Sequence, residues 1–227
     1  DRWRHVIYIT EHSAQIRRIL RGVVAGSGIS IDDIDQRFTL VDAKRITPEY
    51  AATAADYFVS HYSREFNSVA IKPLIVIDTL AANFLIDDEN SNAELSALVA
   101  MLKQQFNECP FWLIHHLAKD SYNRKNVSEL SARGAGALES DAIQNVFLIS
   151  EEDSRFLLLG KRRFETKCSE YQININRIDS TDRNEWGELE PITLTWADVV
   201  PSNKELRAKN KAQAKEDKTV GELSVIR

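Results

Sequence analysis

Two apolar runs of the chain end in acids. Leu74-Ile75-Val76-Ile77 closes on Asp78 and Thr79, and Val6-Ile7-Tyr8-Ile9-Thr10 closes on Glu11. In an open parallel sheet, ligands bind beyond the carboxyl ends of the strands, so an acid in that place faces the expected site. One carboxylate there can hold Mg2+, directly or through water, while a second polarises a water molecule. Those are the two tasks of nucleotide hydrolysis. Structural alternatives stand beside both. Asp78 can cap the turn that follows it, and Glu11 can belong to the N-cap region of the next helix, where Ser13 competes with it.

Further along, Pro110-Phe111-Trp112-Leu113-Ile114 closes on His115-His116, with Lys119 three residues on. A histidine here can hydrogen-bond a phosphate and register its loss, and the lysine supplies a point charge. The alternatives are one histidine satisfied in the core and one exposed, or a metal centre built from His115, His116, Asp78 and His12. Adjacent histidines on a strand point to opposite faces, which disfavours the metal centre. Residues 119–137 read as a long polar loop closing on Arg133-Gly134-Ala135-Gly136, and loops of that length carry function or are disordered. Its cations Lys119, Arg124 and Lys125 can face a nucleic-acid strand or simply water, and Arg133 can reach a phosphate. Lys161-Arg162-Arg163 follows the apolar run 156–159. Cations on such a strand end are either solvated or positioned to reach a neighbouring subunit's nucleotide, where an arginine stabilises charge growing on the γ-phosphate.

The elements that must position these residues can be read from the patterning. A strand at 5–10 leads into a helix with Ile16, Ile19, Leu20 and Val23 on one face, ending between Gly22 and Gly28. A short strand, 38–41, precedes a helix opened by Thr47-Pro48 that carries Ala51, Ala54, Ala55, Phe58, Val59 and Tyr62. Pro73–Asp78 has the continuous apolar character of a doubly covered parallel strand. A helix over 92–107 buries Leu95, Leu98, Val99, Leu102 and Phe106, and 110–115 is a second buried strand. Alternating strands and helices imply a mainly parallel sheet with helices on both faces. From residue 144 the rhythm changes: 145–149, 156–159, 171–178 and 192–195 read as short strands in hairpins that extend the sheet on one side.

The chain has 227 residues, 43% hydrophobic and 28% charged, with 8 Gly, 5 Pro and a net charge of −5. That composition supports one sizeable α/β core and excludes disorder, collagen and a disulfide scaffold. The two cysteines, Cys109 and Cys168, have no metal or CxxC spacing and read as buried small hydrophobes in a reduced, cytoplasmic protein. No apolar run approaches the roughly 18–20 residues of a membrane span. The acidic balance does not exclude nucleic-acid binding through a few local cations. The sequence opens on Asp1 with Met101 as its one methionine, and its polar stretch from Asn203 to Lys218 turns apolar again at Val220. These ends are expected of a fragment, with 1–200 as the core and 201–227 as a polar helix or linker towards a further module.

Taken in order, these motifs resemble the RecA-like hexameric ATPases, and within them the RepA-type replicative helicases. Val6 to Glu11 followed by Ile16-Arg17-Arg18-Ile19-Leu20 is similar to the strand, catalytic acid and arginine-rich helix of that family. Pro73–Asp78 is similar to its Walker B strand, and Ile114 to Lys119 to its His-His-x-x-Lys sensor segment. Arg133 to Leu138 matches the Arg-Gly-small-small motif, and Lys161 to Arg163 a Lys-x-Arg pair inserted into the adjacent active site. The resemblance covers about residues 5–196. It implies a RecA-like, mainly parallel twisted sheet flanked by helices, with C-terminal antiparallel hairpin strands. ATP and Mg2+ are the implied cofactors; a hexameric ring of this chain and single-stranded DNA are the implied partners, with no membrane. Glu11 then activates the attacking water, Asp78 serves Mg2+, His115 or His116 senses the γ-phosphate, and Arg133 or Arg163 acts in trans. Thr79, Lys119 and Lys161 join in binding the nucleotide.

One departure stands out: no G-x-x-x-x-G-K-[ST] occurs in the 227 residues. In this family that phosphate-cradling loop lies just before the strand that opens the chain. Three functions therefore compete: a ring-type helicase ATPase completed by residues outside this sequence, an assembly or regulatory module without ATPase activity, and a metal-dependent hydrolase using the histidine pair.

Overall fold

The computed structural model describes residues 5–43, 53, 60, 73–84, 86–88, 91–106, 109–117, 136–151, 154–163, 169–183 and 186–202. Of the helix expected from Thr47 to Tyr62, only Thr53 and Ser60 are among them, both helical and exposed. Cys168 and the stretch from Asn203 onward lie outside the described residues. By packing, the chain divides into two units, one of Asp1–Ile143 with Asn176–Trp196 and one of Gln144–Ile175 with Ala197–Arg227.

The first unit contains a four-stranded parallel sheet of β1 (Val6–Thr10), β2 (Phe38–Asp42), β3 (Leu74–Asp78) and β4 (Phe111–Ile114), in the order β2-β1-β3-β4. Its strands are paired so that Asp42, Thr10, Asp78 and Ile114 are level at the carboxyl edge. Side chains alternate across a sheet. Ile7, Ile9, Ile75 and Ile77 therefore share one face, where they form the core with Leu80, Phe84, Leu95, Leu102 and Phe106. The opposite face carries Tyr8, Thr10, Val76, Asp78, Trp112 and Ile114.

The helices begin where side-chain caps are available. Ser30 accepts from Asp33 N at 3.0 Å to start α2 (Ile31–Arg37), whose acidic first turn and basic last turn suit the helix dipole. Thr79 caps the short α3 (Leu80–Asn83), and Ser91 caps α4 (Asn92–Gln105) by accepting from Glu94 N at 3.3 Å. In α4, Leu95, Val99 and Leu102 are buried as their spacing predicts. Cys109 is buried in the same core, also as expected. α1 (Ser13–Ser27) ends at Gly28, whose φ of 75° is the left-handed geometry glycine tolerates best.

α1 corrects the expected burial pattern. Its fully buried residues are Ser13 and Gly22, whereas Ile19 is exposed and Ile16, Leu20 and Val23 are half-buried. The reason is how the helix seats. A Cβ on Gly22 would run into the Thr195 carbonyl, and one on Gly26 into the Trp196 indole, so two glycines four residues apart make the closest approach. Arg18 Nη2 donates to Thr193 O at 2.9 Å and Arg21 pairs with Asp182 alongside. Arg21's guanidinium hydrogen bond, joined by the Arg183 backbone N–H, holds the Asp182 carboxyl below the usual carboxylate range.

β4 corrects a second expectation. Phe111 and Leu113 pack against the core, but Trp112 is 64% exposed, so the strand is covered on one face among the described residues and not on both. Gly136 and Ala137, read as the end of a loop, instead open a helix, α5 (Gly136–Asp141).

The later strands are β5 (Gln144–Glu151), β6 (Ser154–Arg162), β7 (Glu170–Arg183) and β8 (Leu189–Pro201), ordered β5-β6-β7-β8. Among the described residues they form their own sheet and do not extend the parallel one as expected: β4 is hydrogen-bonded to β3 and β5 to β6, and no ladder joins the two sheets. β7 and β8, at 14 and 13 residues, are also much longer than their apolar cores suggest. In the second unit, Phe147, Phe156, Leu158 and Glu170 are buried, whereas Val146 and Leu148 are half-exposed or more. Ser202 satisfies buried Glu170, donating from Oγ to Oε1 at 2.7 Å. Among the described residues, no helix is long and apolar enough to cross a membrane.

Candidate functional site

Parallel pairing aligns strand ends, so the residues after them share an edge. Thr10, Asp78 and Ile114 are in register on adjacent strands, and Glu11, Thr79 and His115 each follow by one residue. Adjacent strands lie about 4.8 Å apart, so this edge brings the acids and the histidine pair within the span of a small ligand. Glu11, Asp78, Thr79 and His115 are half-buried there and His116 is exposed.

Local hydrogen bonds decide the structural alternatives. Thr79 Oγ1 accepts from Ala82 N at 3.3 Å, so Thr79 rather than Asp78 caps the turn. Asp78 instead accepts from the Tyr8 hydroxyl at Oδ2, 2.8 Å away, and its Oδ1 makes no hydrogen bond among the described residues. The Asp78–Thr79 peptide is cis. Asn83 is fully buried and its amide donates to Thr79 O at 2.9 Å, tying α3 back to the residue after the acid.

The N-terminus of α1 is held differently from the expectation. His12 is its N-cap and makes no side-chain cap bond. Ser13 Oγ donates to Asp42 Oδ2 at 2.7 Å, and His12 N donates to Thr10 Oγ1 at 3.0 Å. Glu11 is thereby free of capping duty, and its carboxylate lies 3.4 Å from His12 Nε2.

Tyr8 is half-buried, and burial raises its phenol well above the ordinary value, with the Asp78 hydrogen bond and charge adding to the effect. The phenol therefore stays protonated, and donating, throughout the neutral range. Its ring stacks on Phe38 with centroids 5.9 Å apart.

Tyr8, Thr10 and Asp42 also belong to this edge without having been candidates, and Ser13, a candidate cap, donates to Asp42 instead. Asp42 carried the same signal as Asp78, an acid closing the apolar run Phe38-Thr39-Leu40-Val41. Tyr8 carried only a parity signal, being two residues before Thr10 and thus on the same face.

Lys161 lies on β6 and Arg163 directly after it, both exposed in the second unit. Lys119, Arg124, Lys125 and Arg133 lie outside the described residues. Among the described residues, no three of His, Cys, Asp or Glu come together as a metal site, so the histidine-pair metal centre has no support there. A lone carboxylate with one uncommitted oxygen at a strand end does fit Mg2+, which takes one or two protein carboxylates and completes its shell with phosphate and water.

Open parallel α/β sheets bind ligands beyond the carboxyl ends of their strands, and the acids of this chain are aligned at that edge. A family model described as an AAA domain matches residues 2–122, and the chain belongs to that family, an ATPase class. Among solved structures, the RadB recombinase is similar at 15% identity and a TM-score of 0.47, covering 77% of this chain and 76% of its own. No curated protein matches the chain.

Proposed function

We propose that this chain is the motor domain of a RecA-like ring ATPase that couples ATP hydrolysis at subunit boundaries to movement along single-stranded DNA. The observation that supports it best is the level register of Thr10, Asp78 and Ile114, which gives Glu11, Asp78 and the histidine pair a common edge. Family membership supports the ATPase class.

In this reading Asp78 holds Mg2+ through Oδ1, directly or by way of water. The ion, when bound, neutralises charge on the β- and γ-phosphates. Glu11 accepts a proton from the attacking water as general base. His115 or His116 hydrogen-bonds the γ-phosphate and responds to its departure. Thr79, Lys119 and Lys161 add contacts to the nucleotide. Arg163, or Arg133, reaches the neighbouring subunit's nucleotide as charge grows on the transferring phosphoryl group. Lys119, Arg124 and Lys125 meet the DNA backbone. The reading requires a phosphate cradle, and no G-x-x-x-x-G-K-[ST] occurs within the 227 residues.

The test is ATP turnover by the intact protein carrying Asp78→Ala. Mg2+-dependent hydrolysis should be lost with the fold intact. Turnover persisting within about tenfold, only ~1.4 kcal/mol of barrier, rejects the site. Mixing Glu11→Ala with Arg163→Ala subunits should restore partial activity; no recovery in mixed rings removes Arg163 from the trans role. An intact protein that never hydrolyses ATP is an assembly module instead.

A further inference from the structure

We infer that Tyr8 is the positioning residue of the Mg2+-holding carboxylate: it ties Asp78 Oδ2 and leaves Oδ1 to the metal. The inference rests on the reading of Asp78 given above and extends it one residue outward. Tyr8 pairs with Val76 across β1 and β3, and Asp78 lies two residues further along β3 on the same face. That diagonal is about 7–8 Å between backbones and within reach of an aromatic side chain. The phenol spans it, donating to Oδ2 at 2.8 Å.

Two features make this a device for orienting Asp78. Among the described residues, Tyr8 is the one group hydrogen-bonded to the Asp78 carboxylate, so nothing else described there stops the carboxylate rotating. The Phe38 ring stacks on the phenol and holds it in place, and Phe38 itself opens β2, the strand paired with β1. A ligating carboxylate held by an outer partner binds its metal more tightly, and loss of such a partner typically costs 10–100-fold in affinity.

The test combines a metal titration with a measurement that does not depend on turnover. Tyr8→Phe keeps the ring and its stack and removes only the hydroxyl. In the intact protein it should raise the Mg2+ concentration for half-maximal hydrolysis about tenfold or more, with turnover largely recovered at saturating Mg2+. Independently of turnover, calorimetric titration of the intact protein with Mg2+ should show affinity lowered about tenfold or more in Tyr8→Phe. A Mg2+ requirement changed less than about twofold, in a protein that Asp78→Ala inactivates, overturns the inference. So does a Tyr8→Phe chain that does not fold, which melting would reveal. If Asp78→Ala still hydrolyses ATP, the ATPase site is wrong and the positioning role falls with it; if Asp78→Ala is inactive and Tyr8→Phe binds Mg2+ as the parent does, the positioning role alone is wrong.

Discussion

The parallel sheet and the antiparallel sheet solve burial in opposite ways. β1 and β3 bury one face in a continuous core, with Ile77, Leu80, Leu95 and Leu102 at 0% exposure, and Glu11 and Asp78 lie where their strands stop. β5 and β6 alternate Phe147 and Leu158, which are buried, with Val146 and Leu148, which are 50% and 58% exposed. A parallel sheet covered by helices leaves its strand ends as the open surface, so polar groups that meet a ligand collect there. An antiparallel sheet can face water along its whole length, so nothing in its packing directs functional groups to one edge.

Substitutions can break or sharpen that contrast. Leu102→Ala removes a fully buried side chain of α4 and should destabilise the chain by about 2–5 kcal/mol in urea unfolding. Gly22→Ala drives a Cβ into the backbone carbonyl of Thr195, which cannot rotate away, and should cost about 1–3 kcal/mol by the same measurement. Ser91→Ala removes the cap of α4 and should cost about 1 kcal/mol, read as a lowered melting temperature. Leu148→Ala, on the open face of β5, should stay within about 0.5 kcal/mol of the parent. A Leu148→Ala loss as large as that of Leu102→Ala would mean that the open face is covered in solution, and the contrast would fail.

The parallel half of the fold was legible because its signals are local. Apolar runs closing on Thr10, Asp78 and Ile114 mark strand ends, and Leu95, Val99 and Leu102 mark a helix face. The AAA family model covers residues 2–122, which hold the motifs from Val6 to Lys119; those at Arg133 and at Lys161 to Arg163 lie beyond it. The sequence misled where pairing partners or close approaches decide the outcome. Whether β5 joins β4 depends on which ladder forms, and the run from Gln144 reads the same either way. The burial of Gly22 in place of Ile19 could not be inferred from hydrophobic spacing, because it follows from contact with Thr195, 173 residues away in sequence (195 − 22). At the site, the strand-ending acids announced themselves, whereas Tyr8 and Ser13 act through hydrogen bonds to residues 70 and 29 positions distant.

The seat of α1 has a mechanical consequence. The helix is 15 residues long, a rod of roughly 22 Å, and it starts two residues after Glu11. Its middle and far end are fastened to the β7–β8 hairpin by Arg18, Arg21 and the two glycine contacts. A rod clamped along its length cannot tilt at one end alone. Any push that shifts the stretch from Thr193 to Trp196 is therefore passed along α1 to the end that adjoins Glu11.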